Sequence, residues 1–156
     1  MMSIFKNISA WTKNSAAIVR SQPDHGRAIL AFDLTGDAQR LLSSHIDGSL
    51  LLWDLQTDEI PRKISVMDKP IIALALVEDG SIAATICSEN TAKLWNIATG
   101  ECFAEIPGSY SCVIRIDGGG FALGGMDGRV NVCRNGGVVY ACFGDGGGVS
   151  GRLQCG

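Results

Sequence analysis

Six cysteines and two histidines are the residues of this 156-residue chain best equipped for metal or redox chemistry. Cys87, Cys102, Cys112, Cys133, Cys142 and Cys155 are separated by 15, 10, 21, 9 and 13 positions, so no Cys-x-x-Cys pair opens a zinc site, and only His25 and His45 are there to complete one. Unpaired thiols behave as small core hydrophobes, and no metal is expected. His45 falls at the end of an expected strand beside a turn, where a solvated surface role is the simplest reading. A further pattern, Gly146-x-Gly148-x-x-Gly151, has the spacing of a dinucleotide fingerprint and follows a strand expected over 138–143. Such a site needs a helix after the glycines and an acidic residue about 20 positions beyond. Only five residues follow Gly151, so the stretch reads as a linker or irregular tail and no cofactor is expected.

The elements that would position any site recur. Trp11, Trp53 and Trp95 stand 42 residues apart (53 − 11 and 95 − 53), and Cys133 takes the same slot 38 further on. A fixed period of this length marks stacked supersecondary units, each covering its apolar faces against its neighbours. The clearest repeat spans 24–65, with strands expected at 28–34, 40–46, 50–54 and 59–66, separated by Thr35-Gly36-Asp37, Asp47-Gly48 and Thr57-Asp58. The second spans 66–107, with strands at 71–76, 82–87, 92–97 and 101–106. Its run Ile71-Ile72-Ala73-Leu74-Ala75-Leu76 suits a strand covered on both faces. The third, 108–143, is four residues shorter (42 − 38). Because Ser109, Val113 and Ile116 keep the earlier spacing, the loss is assigned to a first hairpin closed by Gly118-Gly119-Gly120; Asp127-Gly128 and Asn135-Gly136-Gly137 mark the later turns. Residues 3–22 fall on the same period, Ile8-Ser9-Ala10-Trp11 matching Leu50-Leu51-Leu52-Trp53, and read as a hairpin of a partial unit, with an amphipathic helix or a disordered arm as the alternative. Residues 144–156 read as a glycine-rich tail or the start of a truncated further unit.

The segments Leu52-Trp53-Asp54-Leu55, Leu94-Trp95-Asn96-Ile97 and Val132-Cys133-Arg134-Asn135 carry a resemblance to the WD40-repeat β-propeller family. The resemblance implies an all-β fold, a partial WD40-like β-propeller of about three four-stranded antiparallel blades. It also implies a hydrogen-bonded tetrad in each full blade, which the first repeat keeps whole as His25, Ser43, Asp47 and Trp53. The second repeat has Met67, Thr85, Glu89 and Trp95 at these places, and the third has Ser109, Leu123, Asp127 and Cys133. A buried indole N–H needs an acceptor, and an imidazole oriented by a carboxylate is a good relay. Serine, histidine and aspartate together also invite a hydrolase reading. The resemblance argues against it, because in this family the set lies inside the blade with no oxyanion hole and no exposed nucleophile.

Composition narrows the partners. The formal net charge is −3, without the basic face that nucleic-acid binding calls for. No run approaches the roughly 18 to 20 apolar residues needed to cross a bilayer, and residues after Lys6 lack the apolar core of a secretory signal. Neither nucleic acid nor membrane is expected as a partner, and an intracellular setting, cytoplasmic or nuclear, is. The resemblance implies a non-catalytic protein–protein interaction scaffold. The alternative is a truncated or partial propeller that completes a ring by self-association or with a partner, and has no binding role of its own. Partner contacts are expected on the loops ahead of each first strand and the turns after each second strand, at Arg27, Ile46, Lys69, Tyr110 and Met126.

Overall fold

The computed structural model describes residues 27–57 and 59–134, which contain eleven strands and, among the described residues, no helix. The first sheet is β1 (Ile29–Leu34), β2 (Arg40–His45), β3 (Ser49–Asp54) and β4 (Arg62–Val66). β5 (Ile71–Leu76), β6 (Ile82–Cys87), β7 (Ala92–Asn96) and β8 (Cys102–Ile106) make the second. The third is β9 (Tyr110–Ile116), β10 (Gly120–Gly125) and β11 (Val130–Arg134). Each sheet is a meander of antiparallel neighbours in chain order. The tight reversals come from residues that tolerate them: Asp47-Gly48 closes β2 onto β3 with Gly48 at φ +79°, in the left-handed region that favours glycine. The fourth strand of the first sheet begins later than expected, at Arg62, because Pro61 has no N–H to give the ladder and Ile60 stays in solvent. The hairpin expected over 3–22, His25, the last strand of the third unit and residues 144–156 lie outside the described residues.

The sheets stack in chain order, with β5 running beside both β1 and β9. Two apolar layers hold them. Leu42 and Leu50 of the first sheet meet Leu74, Leu76, Ala83 and Trp95 of the second. The other face of the second sheet, carrying Ala75, Ala84, Ile86 and Leu94, meets Val113, Phe121, Leu123 and Cys133. Each blade therefore sends the face bearing residue 95 or 133 toward the blade before it. The second sheet is covered on both sides, which is why β6 is buried at five consecutive positions whereas burial in β9 is interrupted. Each fully covered aliphatic side chain contributes roughly 1.5–3 kcal/mol. Polar contacts tie the first strands together: Leu76 N donates to Asp33 Oδ2 at 2.8 Å, and Arg115 Nη1 spans two blades to Leu34 O at 3.0 Å.

Register corrects the place of the four-residue loss. A β-bulge breaks each first strand at the same point, between Ile29 and Ala31, between Ile71 and Ala73, and opposite Gly124/Gly125 beside Tyr110. Tyr110 thus corresponds to Ile71, 39 positions back (110 − 71), while Phe121 corresponds to Ala83, 38 back (121 − 83). Three of the four residues are missing ahead of β9 and one from the hairpin. The sequence comparison misplaced them because apolar residues at adjacent strand positions match at either spacing.

Candidate functional site

In the first blade the Trp53 indole donates through Nε1 to Ser43 Oγ at 2.8 Å, and His45 Nε2 lies 2.9 Å from the same oxygen. Strand geometry brings these groups together. Residues 43 and 45 share one face of β2 by its period of two, and the register Leu41↔Trp53 and Ser43↔Leu51 places the indole diagonally beside Ser43. His45 is only 1% exposed, which corrects the expectation of a solvated surface residue. Nearness to a turn suggested exposure, but the spacing from Ser43 to His45 was the signal that the ring points into the blade. His45 Nδ1 has no hydrogen-bond partner among the described residues.

Asp47 makes its hydrogen bonds elsewhere. Its Oδ1 accepts from Ser49 Oγ at 2.6 Å and Ser49 N at 3.1 Å, and its Oδ2 pairs with Arg27 Nε at 2.9 Å. The Ser49 hydroxyl, with smaller help from the Ser49 amide, Arg27 and His45, holds this carboxyl below the usual carboxylate range. Of the four residues expected as a tetrad, the structure brings Ser43 and Trp53 into direct contact, places Asp47 in the adjoining turn, and leaves His25 outside the described residues.

The other blades vary this arrangement. Trp95 Nε1 donates to Thr85 Oγ1 at 2.8 Å. In the position of His45 stands Cys87, whose Sγ lies 2.9 Å from Thr91 Oγ1. Met67 packs against the first interlayer core, and Glu89 pairs with Lys69 at 3.0 Å, which pushes the Lys69 ammonium up. In the third blade Cys133 and Leu123 are buried in apolar surroundings, and burial pushes the Cys133 thiol up to about 11. A polar link missed by sequence reasoning forms there: Asn131 Nδ2 donates to Tyr110 Oη at 2.6 Å, and Tyr110 Oη donates to Pro107 O at 3.2 Å. Tyr110 is buried in the second apolar layer, which corrects its expected place among exposed contact residues.

The remaining residues expected at a contact surface do meet on one end of the stack. Ile46 is 53% and Met126 68% exposed, at equivalent turns of the first and third sheets. Arg27 and Lys69, on loops, are exposed but paired to Asp47 and Glu89, and Arg129 lies 3.9 Å from Asp127. This rim is stitched by backbone bonds that alternate within and between blades. Ile46 N donates to Ala28 O, Met67 N to Gly48 O, Ser88 N to Pro70 O, Tyr110 N to Asn90 O and Met126 N to Ser109 O, all at 2.8–3.0 Å. The opposite end carries a cleft of about 770 Å³ lined by Asp37, Glu78, Asp79, Arg115 and Asp117 among others. There Arg40 Nη2 donates to Asp79 O at 2.9 Å.

The described residues form three consecutive stacked antiparallel meanders, two of them with a tryptophan on the third strand bonded to a hydroxyl on the second, and this is the all-β fold of a partial WD40-like β-propeller. No family model matches the chain. It is 26% identical over 141 residues to apoptotic protease-activating factor 1 of Rattus norvegicus, a match covering 86% of this chain and 11% of that protein. It is 23% identical over 127 residues to the WD repeat-containing protein SL1-17 of Schistosoma mansoni, covering 79% of this chain and 42% of that one. Among solved structures, that of the RRP9 WD40 repeats superposes with a TM-score of 0.60 at 18% identity, over 72% of this chain and 37% of that one. The chain spans less than half the length of each.

Proposed function

We propose that the blades serve as a non-catalytic protein–protein interaction scaffold, with the loop-and-turn rim as the contact surface. The observation that carries this reading is the rim's construction: five backbone bonds hold loops of all three blades in one arrangement while Ile46 and Met126 project into solvent. A preorganised surface loses little freedom on binding, and an exposed Met suits an interface anchor. The Trp53, Ser43 and His45 set is buried and is read as structural rather than catalytic. Four described cysteines are free thiols, which fits a reducing intracellular setting, cytoplasmic or nuclear. Alanine at Arg27, Ile46, Lys69 and Met126 together should abolish stoichiometric retention of a specific protein by the immobilised chain. Retention of every captured protein by this variant would move the contact surface elsewhere.

A second reading, association with further blades from another copy or a partner, is favoured by the outer face of the third sheet. Ile114 occupies the register position of the buried Ala75 yet is 63% exposed, and Val130, on the other outer strand of the same sheet, is exposed too. Light scattering coupled to size exclusion tests this reading. A concentration-independent monomer for both the wild type and Ile114→Ser would remove it.

A further inference from the structure

Resting on the interaction reading, we infer that the rim recognises an apolar, uncharged stretch of its partner and not a charged one. Most of the described rim's charges are already matched within the chain. Each blade carries a carboxylate at the same turn position, Asp47, Glu89 and Asp127, and each of these has its own cation, Arg27, Lys69 and Arg129. With Asp68, the seven rim charges among the described residues sum to −1 (three cations, four anions). Such exposed pairs are worth little in themselves, but they cancel each other's field within a few ångströms. A charged partner would meet little net potential and would have to displace a counter-ion at each of the three pairs.

What the rim leaves unmatched is apolar. The bulge at the loop end of the first strand turns Leu30 and Ile72 out of their ladders at equivalent positions, and both are exposed. The turn after the second strand exposes Ile46 and Met126, also at equivalent positions. Four large aliphatic or thioether side chains thus stand at repeat-related places on a surface whose ionic groups are paired. The other end of the stack contrasts with it. There Asp37, Glu78, Asp79 and Asp117 line the cleft, and the nearby guanidinium groups of Arg40 and Arg115 donate to backbone carbonyls. Charge selectivity belongs to that end, apolar selectivity to the rim.

The test uses the whole chain, immobilised, and a randomised peptide library displayed on phage. Panning is run at about 0.1 M and about 1 M salt, between which the Debye length falls from about 10 Å to about 3 Å. The expected peptides are uncharged, rich in Leu, Ile, Met, Phe and Trp, and recovered equally at both salt concentrations. Their affinity should fall about tenfold or more with Ile46→Ser plus Met126→Ser, as for an anchor pair. It should change less than about twofold with Arg27→Ala, with Lys69→Ala, or with Ile60→Ser, a control on an exposed isoleucine at the other end. Unchanged denaturation midpoints would show that the variants fold. Charged peptides that are lost at high salt and on Arg27→Ala or Lys69→Ala would overturn the inference and leave the rim as the contact surface. Peptides indifferent to every rim substitution would overturn both, and no enrichment at all would overturn the inference.

Discussion

At the scale of single residues, the indole links of the first two blades have a measurable cost of removal. Trp53→Phe leaves the Ser43 hydroxyl and the His45 ring without the donor that organises them, and Trp95→Phe does the same to Thr85. Each, and Ser43→Ala with them, should lower stability by about 1–3 kcal/mol, the cost of stranding a buried polar group. Ser109→Ala, at an exposed loop position, should stay within about 0.5 kcal/mol. Urea midpoints compared across the four variants check this, and equal shifts would mean the links are ornamental. The thiols give a second check. Cys133, held protonated by burial, and Cys87 should resist alkylation of the native protein, while Cys102 and Cys112 should react, as read by peptide mass mapping.

At the scale of elements, the turns are where backbone and charge are both specified. Gly48 and Gly128 occupy equivalent turns at φ +79° and +81°, so alanine at either meets the left-handed penalty of about 1–2 kcal/mol. Only at Gly48 would the new methyl also run into the Met67 and Lys69 carbonyls of the next blade's loop; at Gly128 nothing stands in the way. Gly48→Ala should therefore be clearly the more damaging of the two, and equal costs would show that the rim bonds yield easily. The β2–β3 turn carries Asp47 and the β5–β6 turn, at the other end of the stack, carries Asp79, each followed two residues later by a serine whose hydroxyl donates to it and holds its carboxyl below the ordinary range. The sign follows from linkage: a carboxyl lowered on folding adds stability above its unfolded value of about 3.9, and that stability is lost as pH falls through the folded value. Acid unfolding should thus steepen below about pH 4. Asp47→Asn with Asp79→Asn should flatten the pH dependence of the urea midpoint in that window, and a profile parallel to wild type would contradict it.

At the scale of the whole molecule, stability resides in the interfaces between sheets more than within any one of them. Leu42 and Leu50 are fully buried between the first and second sheets, so alanine at either should cost about 2–5 kcal/mol. Ile114→Ser, on the open face of the third sheet, should cost less than about 0.5 kcal/mol. Calorimetric or chemical unfolding distinguishes the two, and a large cost at Ile114 would mean that its face is covered in solution. Loss of the first interface should release hydrogen exchange in β1–β4 before β9–β11, because each apolar layer lies between one pair of neighbouring blades.

Much of this architecture was legible in the chain because a repeat writes its local physics several times over. Tryptophan at a fixed period, Asp-Gly at the reversals and the unbroken apolar run of β5 each report a short-range constraint, and the observed strands fall within a few residues of the expected ones. Ser43 and Trp53 were grouped by the resemblance, and the contact between them is a short-range one, since two adjacent strands and one turn set their distance. What only the tertiary structure decided depends on which face a residue takes. A bulge or a one-residue shift in register exchanges inside for outside, so His45 turned inward beside a turn and Tyr110 sank into the core where a loop residue was expected. Contacts between distant blades were equally out of reach, as with Arg115 and Leu34, 81 positions apart. So was the pairing of Asp47 with Arg27 and of Glu89 with Lys69, because each arises from how the first strand of a blade is registered beside its second.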